Sequence, residues 1–377
     1  MKPAAYDVAI IGAGIVGAAC AAECAREGMS VAIIESSIIG GGATAAGMGH
    51  IVVMDDSEAQ FALTRYSQTL WDQLAEELPS NVEYEKCGTI WVAADEEEMR
   101  EVERKKSFYE ERGLRVEILD QKSLEEVEPN LRKGFAGGLC VPGDSVIYPP
   151  SAARFLLERA KVKGAVLYTG QPVTRLTERG VAMCDGTFIS AALSVNAAGS
   201  WSPELTPGLD IQKRKGHLVI TDRYPGFVRH QLVELGYLKS AHSLTSDSVA
   251  FNIQPRRTGQ MLIGSSRQYG VDNSEVETSM LSRMIERACY YLPRLTELSA
   301  IRAWTGFRAA TPDKLPLIGP CPSRENLYLA TGHEGLGITT SLGTARLLVD
   351  QLLKRESEIS IAPYLPARAT QETAYGK

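Results

Sequence analysis

The feature that most constrains this chain is a Gly-x-Gly-x-x-Gly turn, formed by Gly12, Gly14 and Gly17 within IIGAGIVG. It stands directly behind the apolar run of Val8, Ile10 and Ile11, which reads as a buried strand. Beyond it, the alanine-rich IVGAACAAECAREG reads as a helix closed by Gly28. MSVAIIES is then a second buried strand that ends at Glu35. Strand, glycine turn, helix and strand in this order make a βαβ unit. Each glycine has a separate task there. Gly12 permits the tight turn, Gly14 lets backbone approach a pyrophosphate, and Gly17 lets helix and strand pack closely. The first helical residues, Ile15 and Val16, sit where free N–H groups and the positive dipole end meet phosphate. Glu35 stands where a carboxylate accepts from ribose hydroxyls, and it would repel a 2′-phosphate. The unit therefore predicts a dinucleotide without a 2′-phosphate.

The rest of the composition narrows the class. A 44% hydrophobic content over 377 residues supplies a sizeable core, and a net charge of -6 disfavours non-specific nucleic-acid binding. No apolar run approaches the ~20 residues needed to cross a bilayer. With a strand beginning near Tyr6, no room is expected for a signal peptide. The seven cysteines are scattered and hold no C-x-x-C pair, which fits reduced thiols better than disulfides, zinc or an iron–sulfur site. Cys20 and Cys24, four apart on one helix face, read as small apolar packing groups. A cytoplasmic location is the expectation.

Further along, SEAQFALTRYSQTLWDQLAEEL and PPSAARFLLERAKVKGA carry helical periodicity. DEEEMREVERKKSFYEERG mixes both charge signs and reads as a solvated helix. AVLYTG, PVTRLTERG and VAMCDGTFISAALSVNAAG read as strands with tight turns, the last ending in small residues as a strand meeting a ligand would. From Lys215 to about Arg294 the pattern reads as strands, with a hairpin turn at Arg257–Gln260. Arg256 and Arg257, beside that turn, read as solvated. NLYLATGHEGLGITTSLGTARLLVDQLL closes the pattern as strand, glycine-rich loop and long apolar helix. The fold class expected is α/β, a Rossmann-like unit interleaved with a β-rich one.

A nicotinamide dehydrogenase would continue into further βα repeats. Here the second strand leads instead to GGGATAAGMG, small residues suited to wrapping backbone around a long ligand. TGHEGLG offers a second helix N-terminus, able to stabilise negative charge on the N1–C2=O edge of a reduced flavin. Both features favour resident FAD.

DVAIIGAGIVG, ESSIIGGGATAAGMG, SVNAAGSWS, GFRAATPDKLPLIGP and LYLATGHEGLGITTSLGTA together resemble, in order, the motifs of the D-amino-acid oxidase superfamily of flavoproteins. The resemblance runs from Asp7 to about Leu353. Within the superfamily, GHIVVMDDSEAQFALTRYSQTLW and ATGHEGLG look most like the catalytic β subunits of D-hydroxyproline and opine dehydrogenases. The resemblance implies a glutathione-reductase-like FAD domain and an antiparallel sheet that covers the flavin. Residues 1–85, 145–214 and 300–360 would form the first, residues 86–144 and 215–299 the second, and 361–377 a tail. It implies FAD on Gly12, Gly14, Ile15, Val16, Gly17, Glu35 and Ser36, and on the loop of Gly41, Gly42, Ala43, Thr44, Ala46 and Gly47. Val173, Ala198 and Gly199 would add to the dinucleotide site. Gly332, His333, Gly335, Leu336, Gly337, Ile338 and Thr339 would lie against the pyrimidine edge of the ring. The sarcosine oxidase branch attaches its flavin to a cysteine two residues before the position of Arg308. That position is Gly306 here, and Cys321 lies too far along, so non-covalent FAD is expected.

Oxidising an amine by hydride transfer to flavin asks little of side chains beyond orientation and exclusion of water. It does ask for a carboxylate anchor. Arg308 matches the arginine that fills this role in the glycine oxidase branch, and a guanidinium fork suits it. The alternative is that Arg308 braces its loop by pairing with Asp313 or another acid. His50, behind the flavin loop, would line the pocket or contact flavin N5, and Asn252 stands where relatives often place a pocket tyrosine. His333 would contact the ring. The expected activity is FAD-dependent oxidation of a D-hydroxyproline, D-proline, D-amino-acid or opine type of substrate to an imine, with electrons passed to a partner subunit or carrier. An O2-using glycine or D-amino-acid oxidase is the alternative, and a flavin-bearing non-catalytic subunit of a larger complex is another.

Overall fold

Strand β1 (Tyr6–Ile11) feeds through the glycine turn into α1 (Ile15–Arg26), and β2 (Val31–Glu35) returns parallel to β1 with Ile33 opposite Ile10. At the end of α1, the Gly28 N–H donates to the Ala25 carbonyl and the Met29 N–H to the Cys24 carbonyl, both at 3.1 Å. Gly28 stands at φ +85°, the left-handed conformation this helix ending requires. This is a computed structural model describing residues 5–236 and 247–371. Residues 237–246, within the expected strand-rich region, and 372–377 of the expected tail lie outside the described residues.

Next come α2 (Gly42–Ala46), β3 (His50–Ile51) and α3 (Glu58–Leu74). A first excursion into a second sheet follows, through β4 (Thr89–Ala93), α4 (Glu96–Glu111), β5 (Glu117–Asp120), α5 (Gln121–Val127) and β6 (Gly137–Val141). Strand β7 (Ser145–Val146) pairs with β3 and returns the chain to the first sheet through α6 (Pro149–Val162) and β8 (Val166–Thr169). There β9 (Val173–Thr177) and β10 (Gly180–Met183) form a hairpin before β11 (Phe188–Asn196) and the short α7 (Ser202–Leu205). The second excursion runs through β12 (Gln212–Thr221), β13 (Gln231–Glu234), β14 (Ser248–Pro255), β15 (Met261–Arg267), α8 (Thr278–Tyr291) and β16 (Ala300–Ala310). Finally β17 (Leu317–Pro320), β18 (Leu327–Thr331) and α9 (Gly337–Leu352) complete the first sheet and its cover.

The first sheet has the order β17-β18-β11-β1-β2-β8, with β10 and β9 attached beyond β11. Parallel pairing of β18, β11, β1, β2 and β8 makes its centre Rossmann-like. Helix α1 packs on this sheet between α6 and α9, burying Cys20 and Cys24 completely, and the β9–β10 hairpin caps the apolar residues of the other face. The second sheet has the order β16-β12-β15-β14-β13-β4-β6-β5 and is mainly antiparallel. One of its faces is sealed by α8, whose Tyr291 ring stacks on Phe251 at 4.3 Å.

Four expectations need correcting. Residues 278–291 form a helix, not a strand: Met280, Met284, Ala288 and Tyr291 bury one stripe at helical spacing. Strand 300–310 pairs along the whole of β12 and so belongs to the second sheet, beyond the division expected at residue 299. Helix α4 is solvated on one side only. Its Lys105 is fully buried, paired with the equally buried Asp55 carboxylate and held 4.5 Å from the Trp91 ring centroid. Burial pushes the Lys105 ammonium below its ordinary range, and the Asp55 charge opposes that push. Likewise Arg256 is not merely solvated; it grips Glu83 with two bonds of 2.6 and 3.0 Å.

Removing one partner of a buried pair leaves an uncompensated charge, costing roughly 3–5 kcal/mol, whereas replacing both by apolar groups is often neutral. Asp55→Ala is therefore expected to lower the denaturation midpoint far more than the double variant Asp55→Leu/Lys105→Met. Equal losses in the two would mean that the charge pairing is not what matters there.

Candidate active site

A cleft of about 850 Å³ runs from the exit of β1 to the middle of the β12–β16 pair, at Gly216, Leu218 and residues 306–309. That lies within the ~300–1,000 Å³ typical of ligand pockets. At the β1 end the backbone elements touch where side chains are missing. A Cβ at Gly12, which stands at φ +103°, would lie 2.6 Å from the Ala197 carbonyl oxygen. A Cβ at Gly17 would overlap the Gly12 carbonyl oxygen. Gly14 is the N-cap of α1 and brings no side chain of its own to the helix start. The Ile15 N–H donates instead to Thr44 Oγ1 at 3.0 Å, which folds the Gly41–Gly47 loop over the same helix end. Glu35 lies at the tip of β2, where its carboxylate accepts from the Ala13 and Ser37 N–H groups, both at 2.8 Å. Ser36 and Val173 line this end of the cleft.

Across the cleft, the turn after β11 is held by Asn196. Its Nδ2 donates to the Ser202 carbonyl at 3.0 Å and to Thr206 Oγ1 at 2.9 Å. Thr331, at the end of β18, donates to the Gly199 carbonyl at 3.1 Å. Ala198, Gly199, Ser200 and Trp201 are thereby presented to the cavity.

The other end is built on β16 and the loop into α9. Gly332, His333, Gly335, Gly337 and Ile338 line it, with the N-terminus of the sixteen-residue α9 at the wall. The loop is pinned by Glu334, at φ +52°, whose N–H donates to the Ala309 carbonyl at 2.8 Å. The Glu334 carboxylate receives both terminal nitrogens of Arg214, at 2.6 and 2.7 Å. Arg214 lies directly opposite Arg308 across the β12–β16 pair. One arginine of the two is thus committed to the loop, while the other, half-buried Arg308, lines the cavity and donates Nη1 to the Ser266 carbonyl at 3.0 Å. Asp313 does not brace Arg308; it is engaged by Arg368 at 2.7 Å.

His50 and Asn252 both reach the cavity. His50 Nε2 and Asn252 Oδ1 are buried without a hydrogen-bond partner, as is Ser200 Oγ farther along. Burial alone lowers the His50 imidazole to about 3, so it is neutral at every ordinary pH. His333 is likewise pushed down to about 3, and its Nε2 bonds Thr344 Oγ1 at 2.9 Å, so it anchors the loop to α9. Three residues expected at the cofactor are kept out of the cavity lining. Gly17 serves helix packing, as above. Leu336 caps α9 through its backbone, receiving the Thr340 N–H. Thr339 is buried and donates its hydroxyl to the His50 carbonyl at 2.8 Å, holding β3 in place. Conversely, Met48, Trp201, Gly216, Leu218 and Phe307 line the cavity without having been singled out from sequence.

Residues 7–351 match the family of FAD dependent oxidoreductases denoted DAO. The chain belongs to that family. A glycine oxidase from Geobacillus kaustophilus is 29% identical over 375 residues, covering 95% of this chain and 96% of its own. The crystal structure of a glycine oxidase from that organism matches with a TM-score of 0.87 at 28% identity, over 96% of this chain and 98% of the other. Hydrogen cyanide synthase subunit HcnC of Pseudomonas aeruginosa is 27% identical over 424 residues, covering 98% and 97% of the two chains. L-proline dehydrogenase from P. horikoshii has the same fold, with a TM-score of 0.88 at 22% identity over 98% and 99% of the chains. As a DAO-family flavoenzyme the protein uses FAD, and the cleft fits that group. Glycine backbone faces the α1 start, a fixed carboxylate stands at the β2 tip, and three buried polar atoms await partners.

His333 gives a pH test. Its folded-state value lies below the unfolded one of ~6.5, so its contribution to stability is complete above that pH and is lost as pH falls toward 3. At pH 5 the loss from this one residue amounts to about 2 kcal/mol. Denaturant titrations of FAD-saturated protein at pH 7 and pH 5 should show a smaller acid loss in His333→Gln, which keeps a group able to bond Thr344. Identical losses in both proteins would mean that His333 binds a proton in the native state.

Proposed function

We propose that this protein oxidises a small α-amino acid, with a primary or secondary amine, to the corresponding imine. The observation that carries the reading is that Arg308 lines the same cleft as two buried polar atoms without hydrogen-bond partners, Asn252 Oδ1 and His50 Nε2. FAD, when bound, supplies the two-electron acceptor for the hydride leaving the amine-bearing carbon. Everything else falls to the chain. Arg308 binds the carboxylate through its guanidinium fork, fixing orientation as well as affinity. Asn252 Oδ1 and His50 Nε2 accept hydrogen bonds from the substrate nitrogen. Burial disfavours protonated His50, so its imidazole serves as a hydrogen-bonding partner rather than a proton acceptor. Met48, Leu218 and Phe307 supply an apolar wall that keeps water from the reacting carbon.

Glycine, D-proline and D-hydroxyproline, other D-amino acids and opines share the carboxylate and α-amine this arrangement addresses. The names of the relatives, glycine oxidase and a hydrogen cyanide synthase subunit, support a small substrate. The second of these names also supports a partner subunit as electron acceptor, with O2 as the other route. FAD is held without a covalent bond to cysteine: none of the seven cysteines lines the cleft, and Cys321 is buried against Ser323 Oγ at 3.3 Å.

Anaerobic mixing of the holoprotein with glycine, sarcosine, D-proline, D-hydroxyproline and an opine should bleach the flavin with at least one of them. Failure with the whole set would sink the reading. Admitting air then separates rapid reoxidation by O2 from the slow reoxidation of a dehydrogenase. Arg308→Ala should retain FAD but need about a hundredfold more substrate for half-maximal bleaching. An unchanged half-saturation would remove Arg308 from the carboxylate site.

A further inference from the structure

The position of Arg308 depends on a residue that has no side chain. Gly216 lies on β12, opposite Gly306 and one pleat from Arg214, the partner of Arg308. Both glycines line the cleft. A Cβ built at Gly216 would overlap Arg308 Nη1 and stand 3.0 Å from both Cζ and Nη2. Nothing else lies among its three nearest atoms. The guanidinium therefore lies flat across the bare backbone of β12, and in that pose its Nη1 reaches the Ser266 carbonyl at 3.0 Å. Gly306 does a parallel service for the cofactor loop, since a Cβ there would overlap the Ala46 methyl. The paired glycines make a flat strip with a different occupant at each position: the flavin loop on one, the arginine on the other.

We infer that Gly216 is a positioning residue for the carboxylate anchor, an inference that rests on the assignment of Arg308 to substrate carboxylate. A glycine in mid-strand gives up stability relative to residues with side chains, because it orders more backbone and packs nothing. Gly216 is not at positive φ, so strand geometry does not demand glycine there. What demands it is the guanidinium. The obstacle to a methyl group is the far end of a flexible side chain rather than backbone, so an alanine is accommodated by moving Arg308. The fold survives and the anchor is displaced. Contact with the Ser266 carbonyl is broken, and the fork no longer points where the substrate carboxylate sits. With only Arg308 atoms nearest the missing Cβ, Gly216 acts through Arg308.

The test is a coupling measurement on the holoprotein. Binding of acetate, a carboxylate that cannot be oxidised as an amine, is followed by the perturbation of flavin absorbance in four proteins: wild type, Gly216→Ala, Arg308→Ala and the double variant. Gly216→Ala is expected to weaken acetate by about ten- to hundredfold, the size of a lost hydrogen bond to a charged group. FAD affinity and thermal midpoint should stay close to wild type, and the double variant should bind acetate no more weakly than Arg308→Ala alone. Unchanged acetate affinity in Gly216→Ala, with a loss in Arg308→Ala, overturns this inference and leaves the anchor assignment intact. An equal loss from Gly216→Ala in both backgrounds also overturns it, since the glycine would then act elsewhere. Unchanged acetate affinity in Arg308→Ala overturns the anchor assignment and this inference with it.

Discussion

The cleft exists because backbone approaches backbone at a few points where any side chain would intervene. One of these is where the Gly12 turn passes beneath the Ala197 carbonyl and α1 settles on the Gly12 carbonyl at Gly17. That contact fixes the start of α1 at the end of β1, next to the tip of β2, so the helix start and the Glu35 carboxylate share one site. The same device recurs farther along. Gly306 admits the Ala46 loop and Gly216 admits the Arg308 guanidinium. Missing Cβ atoms thus shape both ends of one cleft.

Ion pairs join the two sheets around that cleft, beside the apolar contacts of Val53 and Phe61 with Trp91 and of Met48 with Leu218. Lys105 of α4 meets Asp55 beyond β3, Arg256 beside β14 meets Glu83 beyond α3, and Arg214 of β12 meets Glu334 before α9. Each pair joins an element of the second sheet to a segment that covers or extends the first. The Arg214–Glu334 pair has a further effect. It commits one of two facing arginines to the loop before α9, while Arg308 lines the cavity. Neutral His50 and the amide of Asn252 add polarity there without adding charge.

Local features were legible in the sequence, because their causes are local. The βαβ unit follows from an apolar run, three glycines and a second apolar run, and the Gly28 ending of α1 follows from one left-handed residue. The final strand, loop and helix were readable for the same reason. Less legible were the features that depend on partners distant in sequence. Helix α8 carries a burial stripe of Met280, Met284, Ala288 and Tyr291, yet it is embedded among strands and took their reading. Lys105 sits in a strongly charged segment, and only the fold brings Asp55 and Trp91 to it. Thr339 looks like a loop residue beside the cofactor, but its hydroxyl is already spent on the His50 carbonyl. Gly216 is one glycine among 34, and only the register of β12 against β16 gives it a task.

The central claim is that one cleft holds FAD from the α1 start to the α9 loop and a substrate carboxylate at Arg308. A crystal structure of the holoprotein with a small unreactive carboxylate bound tests it most directly. The account predicts the pyrophosphate at the N-terminus of α1, the ring between β16 and the Gly332–Gly337 loop, and the carboxylate on the Arg308 guanidinium over Gly216. A carboxylate bound away from Arg308, or a ring lying outside that loop, would contradict it.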